Sequence, residues 1–457
     1  LSSAHLGLYN WYPYTLCLIF RNVTRSPEKK ERKKNTISLC YCTTVMEGYI
    51  PPAEIDSEDD INEEDIVEII ELDDNDAVLN GVEHIGLDQD GEEEQNSDDD
   101  MEGAEGQIVK DESDLVFDKH KGSVFCVSID PKSCDLVLTG GQDDTAYVWK
   151  ISTGEIIFEC TGHKNSVTCV GFSYDGKYVA TSDLSGFIKV WKVETKQKVW
   201  SSECWDIEWL QWHPSAHVLL AGTVAGDVWM WKIPDGDCRT FQGPDCTTSC
   251  GKILPDGKRV SAGFKSGVVK IWDLKAGSIL HSISGHDAHR SSVICMDCHQ
   301  DNNLIITGST DATAKLITSS TGKVVGTLDC LEEDDSIWLE DSVESVGFSN
   351  IHNYAATGTM KGYLNIWDVS TQICRHTCKH EKGIVKLSWA RESPLVYTIS
   401  LDKVIRLWDI RNGQPVASWT GHEDFILDFA ISQDNNFLVS ASDDRTARVF
   451  SIYKPER

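Results

Sequence analysis

The stretch from Lys379 to Asp409, KHEKGIVKLSWARESPLVYTISLDKVIRLWD, decides how the chain is read. It opens on His380 and alternates apolar positions through Ile384, Leu387 and Trp389. It breaks at Glu392-Ser393-Pro394, resumes as Val396-Tyr397-Thr398-Ile399, turns at Leu401-Asp402-Lys403 and closes on Ile405 to Asp409. Period-2 alternation between turn residues predicts three short strands of half-buried sheet.

The pattern recurs along the chain. Its closing position is held by Trp149, Trp191, Trp231, Trp272, Ile317, Trp367, Trp408 and Phe450, separated by 42, 40, 41, 45, 50, 41 and 42 residues. Opening histidines stand at His120, His163, His289, His380 and His422, and repeats three, four and six lack one. A period of this length resembles the WD40 repeat. One unit cannot bury its own sheet face, so the expectation is an all-β, eight-bladed β-propeller. The chain ends seven residues after Phe450, too soon for an outer strand there. Leu115-Val116-Phe117 is expected to supply that strand and close the ring.

Within a repeat, the opening His, a Thr or Ser, a turn Asp and the closing Trp can form one hydrogen-bonded chain. The set is complete in repeat one (His120, Thr139, Asp143, Trp149) and repeat seven (His380, Thr398, Asp402, Trp408). Repeat eight keeps His422, Ser440 and Asp444 but closes on Phe450, so it lacks the indole donor. Repeat two has Ser185 where the Asp is expected. A His-Asp-Ser set suggests a catalytic triad. Recurrence at one place in a repeat makes it structural instead.

Charge divides the chain of 457 residues. Residues 1–45 carry a net charge of +5, residues 46–114 carry −27, and the remainder carries −9. Three segments follow. Residues 1–45 read as a translated leader ahead of Met46 and not as a structural element. Residues 46–111 read as an acidic disordered segment, with an alternating acidic-apolar run from Glu63 to Leu72. Residues 112–457 read as the propeller. The apolar run Leu6 to Phe20 contains Pro13 and is too short to span a bilayer, so no membrane insertion is expected.

Cysteines scattered through strands point to a reducing compartment, with Cys126, Cys169 and Cys295 as small core residues. Cys295-Met296-Asp297-Cys298 has metal-ligand spacing but no second pair. Cys374, His376, Cys378 and His380 alternate along one strand, too spread to close a tetrahedron. No metal or cofactor is expected. No GxxxxGK[ST], HExxH, GxSxG or Gly-rich dinucleotide motif occurs, so no catalytic residue is assigned and the chain reads as no enzyme.

What remains is surface. Loops entering each repeat and the turn after its second strand lie on one face in this topology. That face carries Glu203, Asp206, Asp245, Asp287, Glu381, Glu423 and Asp424. The insertion before repeat six adds Glu332, Glu333, Asp334 and Asp335, and places Trp338 among acids. Acids around an aromatic suit a basic protein segment, by steering and by anchoring. The same sign disfavours direct binding of nucleic acid. The expected form is a monomer.

Runs outside the repeat motif carry a narrower resemblance. Ser123 to Ser128, Trp229 to Pro234, Leu254 to Arg259, Thr321 to Gly326 and Asp428-Phe429-Ala430 resemble the angio-associated migratory cell protein family. The resemblance implies a scaffold without enzymatic activity, located in the cytoplasm and also the nucleus, with vertebrate members linked to cell migration and angiogenesis. It also implies fungal relatives that act as chaperones in ribosome biogenesis, holding the N-terminal segment of a basic large-subunit ribosomal protein on an acidic propeller face. A different class is suggested by Trp408-Asp409-Ile410-Arg411, the W-D-x-R pattern by which such proteins dock on a cullin-RING ubiquitin ligase as substrate receptors.

Overall fold

Eight four-stranded antiparallel sheets surround one axis in the computed structural model, which describes residues 110–331 and 341–452. Each sheet is a blade of strands a to d, running from the axis outward. The inner strands are Val124–Ile129, Val167–Phe172, Ile207–Trp212, Thr248–Ile253, Val293–Cys298, Val343–Phe348, Ile384–Trp389 and Ile426–Ile431. The insertion before repeat six, including Glu332 to Asp335 and Trp338, lies outside the described residues, as do residues 1–109.

Burial follows radial position. The b strands, such as Leu136–Gly141 and Leu304–Ser309, are buried along nearly their whole length because neighbouring blades cover both faces. The outer d strands alternate; Val324–Asp329 buries Gly326 and Leu328 while its neighbours face solvent. A fully buried strand can carry a continuous apolar run, whereas a half-covered one must alternate.

Blades meet through small residues. At the fifth position of strand b, Gly140, Gly263 and Gly308 lie so close to the next blade that an added Cβ would come within 2.7 Å of Val167, Val293 and Val343 or nearer. At the equivalent Gly222 the ring of Trp209 fills the space. Inner-strand cysteines complete the seam: Cys126 and Cys295 point their thiols at the carbonyls of Val167 and Val343, 3.7 and 3.2 Å away. They are small core residues, as expected. Cys295 and Cys298 pack toward opposite neighbours, in separate clusters, so they cannot share a metal. Among the described residues no His, Cys, Asp and Glu group could hold one.

The ring closes as expected. Leu115–Phe117 pairs antiparallel with Ala447–Ser451, Leu115 opposite Val449 and Phe117 opposite Ala447, and becomes the outer strand of blade eight. Phe117 is 1% exposed and stacks on Trp149 of blade one, centroids 4.5 Å apart. One side chain therefore joins the two ends of the propeller.

The hydrogen-bonded chains form where they were read, with one correction. His120 Nδ1 meets Asp143 at 3.0 Å, its Nε2 meets the Thr139 hydroxyl at 3.0 Å, and the Trp149 indole donates to that hydroxyl at 3.3 Å. Blade seven repeats this with His380, Asp402, Thr398 and Trp408 at 3.3, 2.7 and 2.9 Å. Blade eight keeps His422 between Asp444 and Ser440, both at 2.7 Å, and closes on Phe450. In blade two the missing Asp is supplied by Asp183, not by position 185. It sits on the end of strand b, 2.9 Å from His163, and is fully buried. Blade five has an unforeseen set, His289 with Asp311 and Thr307 at 3.1 and 2.9 Å.

Two substitutions test these contacts. Phe117→Ala should cost about 3–5 kcal/mol of unfolding free energy, the usual loss for an emptied aromatic site. Thr398→Val should cost about 2–4 kcal/mol, because the His380 nitrogen and the Trp408 N–H lose their shared partner inside the protein. Urea unfolding at neutral pH measures both, and a shift below about 0.5 kcal/mol would sink either argument.

Candidate functional site

The His-Asp bonds settle which loops share a face, because each joins a d-to-a loop to a b-to-c turn. The Asp does a second job there. It accepts the backbone N–H of the residue after the His: Lys121, Lys164, Arg290, Glu381 and Glu423, at 2.8 to 3.3 Å. All five side chains are exposed. In these five blades the buried network thus fixes the loop backbone and presents one side chain to solvent.

Those five residues correct the reading of an acidic rim. The station carries cations in blades one, two and five and carboxylates in blades seven and eight. Acidity on this face is gathered into arcs. Glu381, Glu423 and the half-buried Asp424 form one. Glu203 and Asp206 before blade three, with exposed Asp245 before blade four, form another. Asp287 is exposed on the short 3-10 turn Gly285–Asp287.

Sequence reasoning missed the aromatic of the second arc. Trp205, between Glu203 and Asp206, is 66% exposed, the most of any large apolar side chain described. The signal was present: an indole in a loop, out of register with the closing position. Its neighbour Cys204 reports the local potential. Burial first, then the charges of Asp183, Asp206 and Glu203, push that thiol up to about 12. Trp205 itself is flanked in the chain by Glu203 and Asp206, while Asp183 is buried against His163.

The inner strands enclose a channel of about 750 Å3 along the axis. Each inner strand carries a β-bulge directly after its first residue, at positions 125, 168, 208, 249, 294, 344, 385 and 427. Lower in the channel, carboxylates pair with lysines while capping the next blade. Asp297 lies 3.3 Å from Lys252 and accepts the Phe348 N–H at 3.0 Å. Asp428 binds Lys386 and accepts the Val127 N–H at 2.9 Å. These groups are spent on holding blades together.

Arg411 sits beyond the third strand of blade seven, on the opposite face. Its guanidinium grips Asp409 through two bonds of 2.9 and 2.6 Å, with the side chain 70% exposed.

Comparison with known proteins agrees with this architecture. The WD domain, G-beta repeat model matches residues 112–150 and 154–192, and the Nucleolar protein 10-like, N-terminal domain model matches 258–456. The chain is 24% identical over 382 residues to the ribosome assembly protein SQT1 of Saccharomyces cerevisiae, covering 74% of this chain and 86% of that one. A crystal structure of Chaetomium thermophilum Sqt1, bound to the N-terminus of ribosomal protein L10, superposes with a TM-score of 0.69 at 22% identity. It covers 75% of this chain and all of that one. The human angio-associated migratory cell protein is 47% identical over 415 residues, 86% of this chain and 95% of that protein. The chain belongs to the angio-associated migratory cell protein family of WD-repeat propellers.

Proposed function

We propose that this propeller is a non-enzymatic scaffold that escorts a basic segment of another protein, held across the acidic arcs of its d-to-a face. The observation that carries the reading is Trp205, exposed between carboxylates on a rigid ring. An indole gives anchoring area at little entropic cost, and its π-face suits a guanidinium or ammonium group. The surrounding carboxylates steer a cationic segment in and reject phosphate. The relative whose structure is known with the N-terminus of a ribosomal protein supports a ribosomal client. A soluble acidic escort would keep such a client off RNA before assembly. On this reading the protein works in the cytoplasm as a monomer, and a link to cell migration is a further consequence of client delivery.

Capture from cytosol on the immobilised full chain, eluted by a salt gradient, tests the reading. A basic ribosomal protein should dominate and leave as salt rises. Combining Glu203→Lys, Glu381→Lys and Glu423→Lys should weaken its binding about tenfold or more with stability nearly unchanged. Trp205→Ala should cost about 2 kcal/mol of affinity. Retention of a ligase adaptor through high salt, lost in Arg411→Ala, would move the working surface to the other face.

A further inference from the structure

Of the eight bulged residues of the inner strands, Glu344 in blade six is the carboxylate that lines the central channel. A bulge sets one residue out of the ladder and re-aims its side chain. Glu344 lies at the end of the channel nearest the acidic face, two residues from the loop that carries Asp341 and Ser342. Its carboxylate accepts the Ser342 hydroxyl, and among the described residues no cation lies within ion-pair distance of it.

The charged groups nearby are Asp341 with the adjacent Lys361, and those of blades five and seven. Asp341, on the preceding loop, accepts the N–H groups of Ser342 and Lys361 at 2.8 and 3.0 Å and adds only negative charge. On blade five, the Cys295 thiol is held neutral by burial, and Asp297 is paired with Lys252. On blade seven, Lys386 is committed to Asp428. Arg391 is exposed past the far end of its inner strand, at the other mouth. Burial pushes Glu344 up to about 7, against the lowering bond from Ser342 and with help from the charge of Asp341. A carboxyl walled by protein on the channel and lacking a counter-ion is costly to ionise until a cation arrives.

We infer that Glu344 is the receptor for one lysine or arginine side chain of the bound segment, inserted from the acidic face into the mouth of the channel. The inference rests on the proposed function and adds a specific residue and depth to it. The rim then supplies steering and Trp205 supplies area, while the channel reads the position of a single cation. A long, flexible cationic side chain suits this role, because its apolar stem can pass the rim before the charged head meets the carboxylate.

The sign of the pH dependence follows. Only ionised Glu344 attracts the cation, so affinity falls as pH drops through about 7. If binding requires the ionised form, going from about pH 8 to about pH 6 lowers affinity about tenfold. The experiment uses the full chain and a short labelled peptide of lysine, arginine, glycine and serine, followed by fluorescence anisotropy at constant ionic strength. Wild type should show that slope, and Glu344→Gln should bind more weakly with a flat profile. A second series keeps the wild-type protein and replaces the peptide's basic residues one at a time by neutral analogues; one replacement should abolish the slope. Salt-sensitive binding that is flat with pH in wild type, or unchanged by Glu344→Gln, overturns the channel assignment and leaves the rim standing. No binding of the peptide at all overturns both.

Discussion

Eight wedge-shaped sheets share an axis only if the last one meets the first. Here the strand Leu115–Phe117 is carried from the start of the propeller to the outer edge of blade eight, beside the Asp428–Val127 contact between the inner strands. Without that strand Ala447–Ser451 would present an unpaired edge, and Trp149 would lose the ring stacked on it. Every other seam is local, between blades adjacent in sequence. This one spans more than three hundred residues, so its loop entropy must be met before any contact rewards it. The ring is therefore expected to close last and to fail as a unit.

The recurring His-Asp pairs turn that ring into a surface. Because the Asp binds both the imidazole and the next backbone N–H, the loop at each networked blade has one conformation whatever its exposed side chain is. A station can then change from Lys to Glu without moving the backbone. This separates stability from specificity: the network is buried and uniform, and the charge it presents is free to vary. Recurrence also marks the His-Asp-Ser set as structural. Its hydroxyl is occupied by the imidazole and, in complete blades, also by an indole.

Most of the fold was legible because its determinants repeat. The closing Trp, the Thr of strand b and the turn Asp recur at fixed offsets, so eight blades and the closure strand could be read from spacing. Asp183 was missed for a physical reason. It reaches His163 from the end of strand b, two residues before the usual turn position, and a template of fixed offsets does not see a carboxylate arriving from another direction. The bulges were invisible for a similar reason. They interrupt period-2 alternation by one residue, so the position that lines the axis cannot be taken from alternation alone. Rim acidity was overdrawn, since acids were noted in some loops without setting Lys121, Lys164 and Arg290 at the same station beside them.

The two faces of the disc now differ in what they offer a partner. Arg411, on the face away from the networks, is folded back on Asp409, so a partner there must compete with a two-bond ion pair already made. On the other face, Trp205 has exposed area to bury, and Glu344 has a carboxyl that the described protein leaves without a cation. Binding a cationic segment on that side supplies the partner that lets the carboxyl ionise. Binding on the opposite side must first break a satisfied contact. That asymmetry, more than the overall acidity of the chain, is the physical ground for placing the client over the channel mouth.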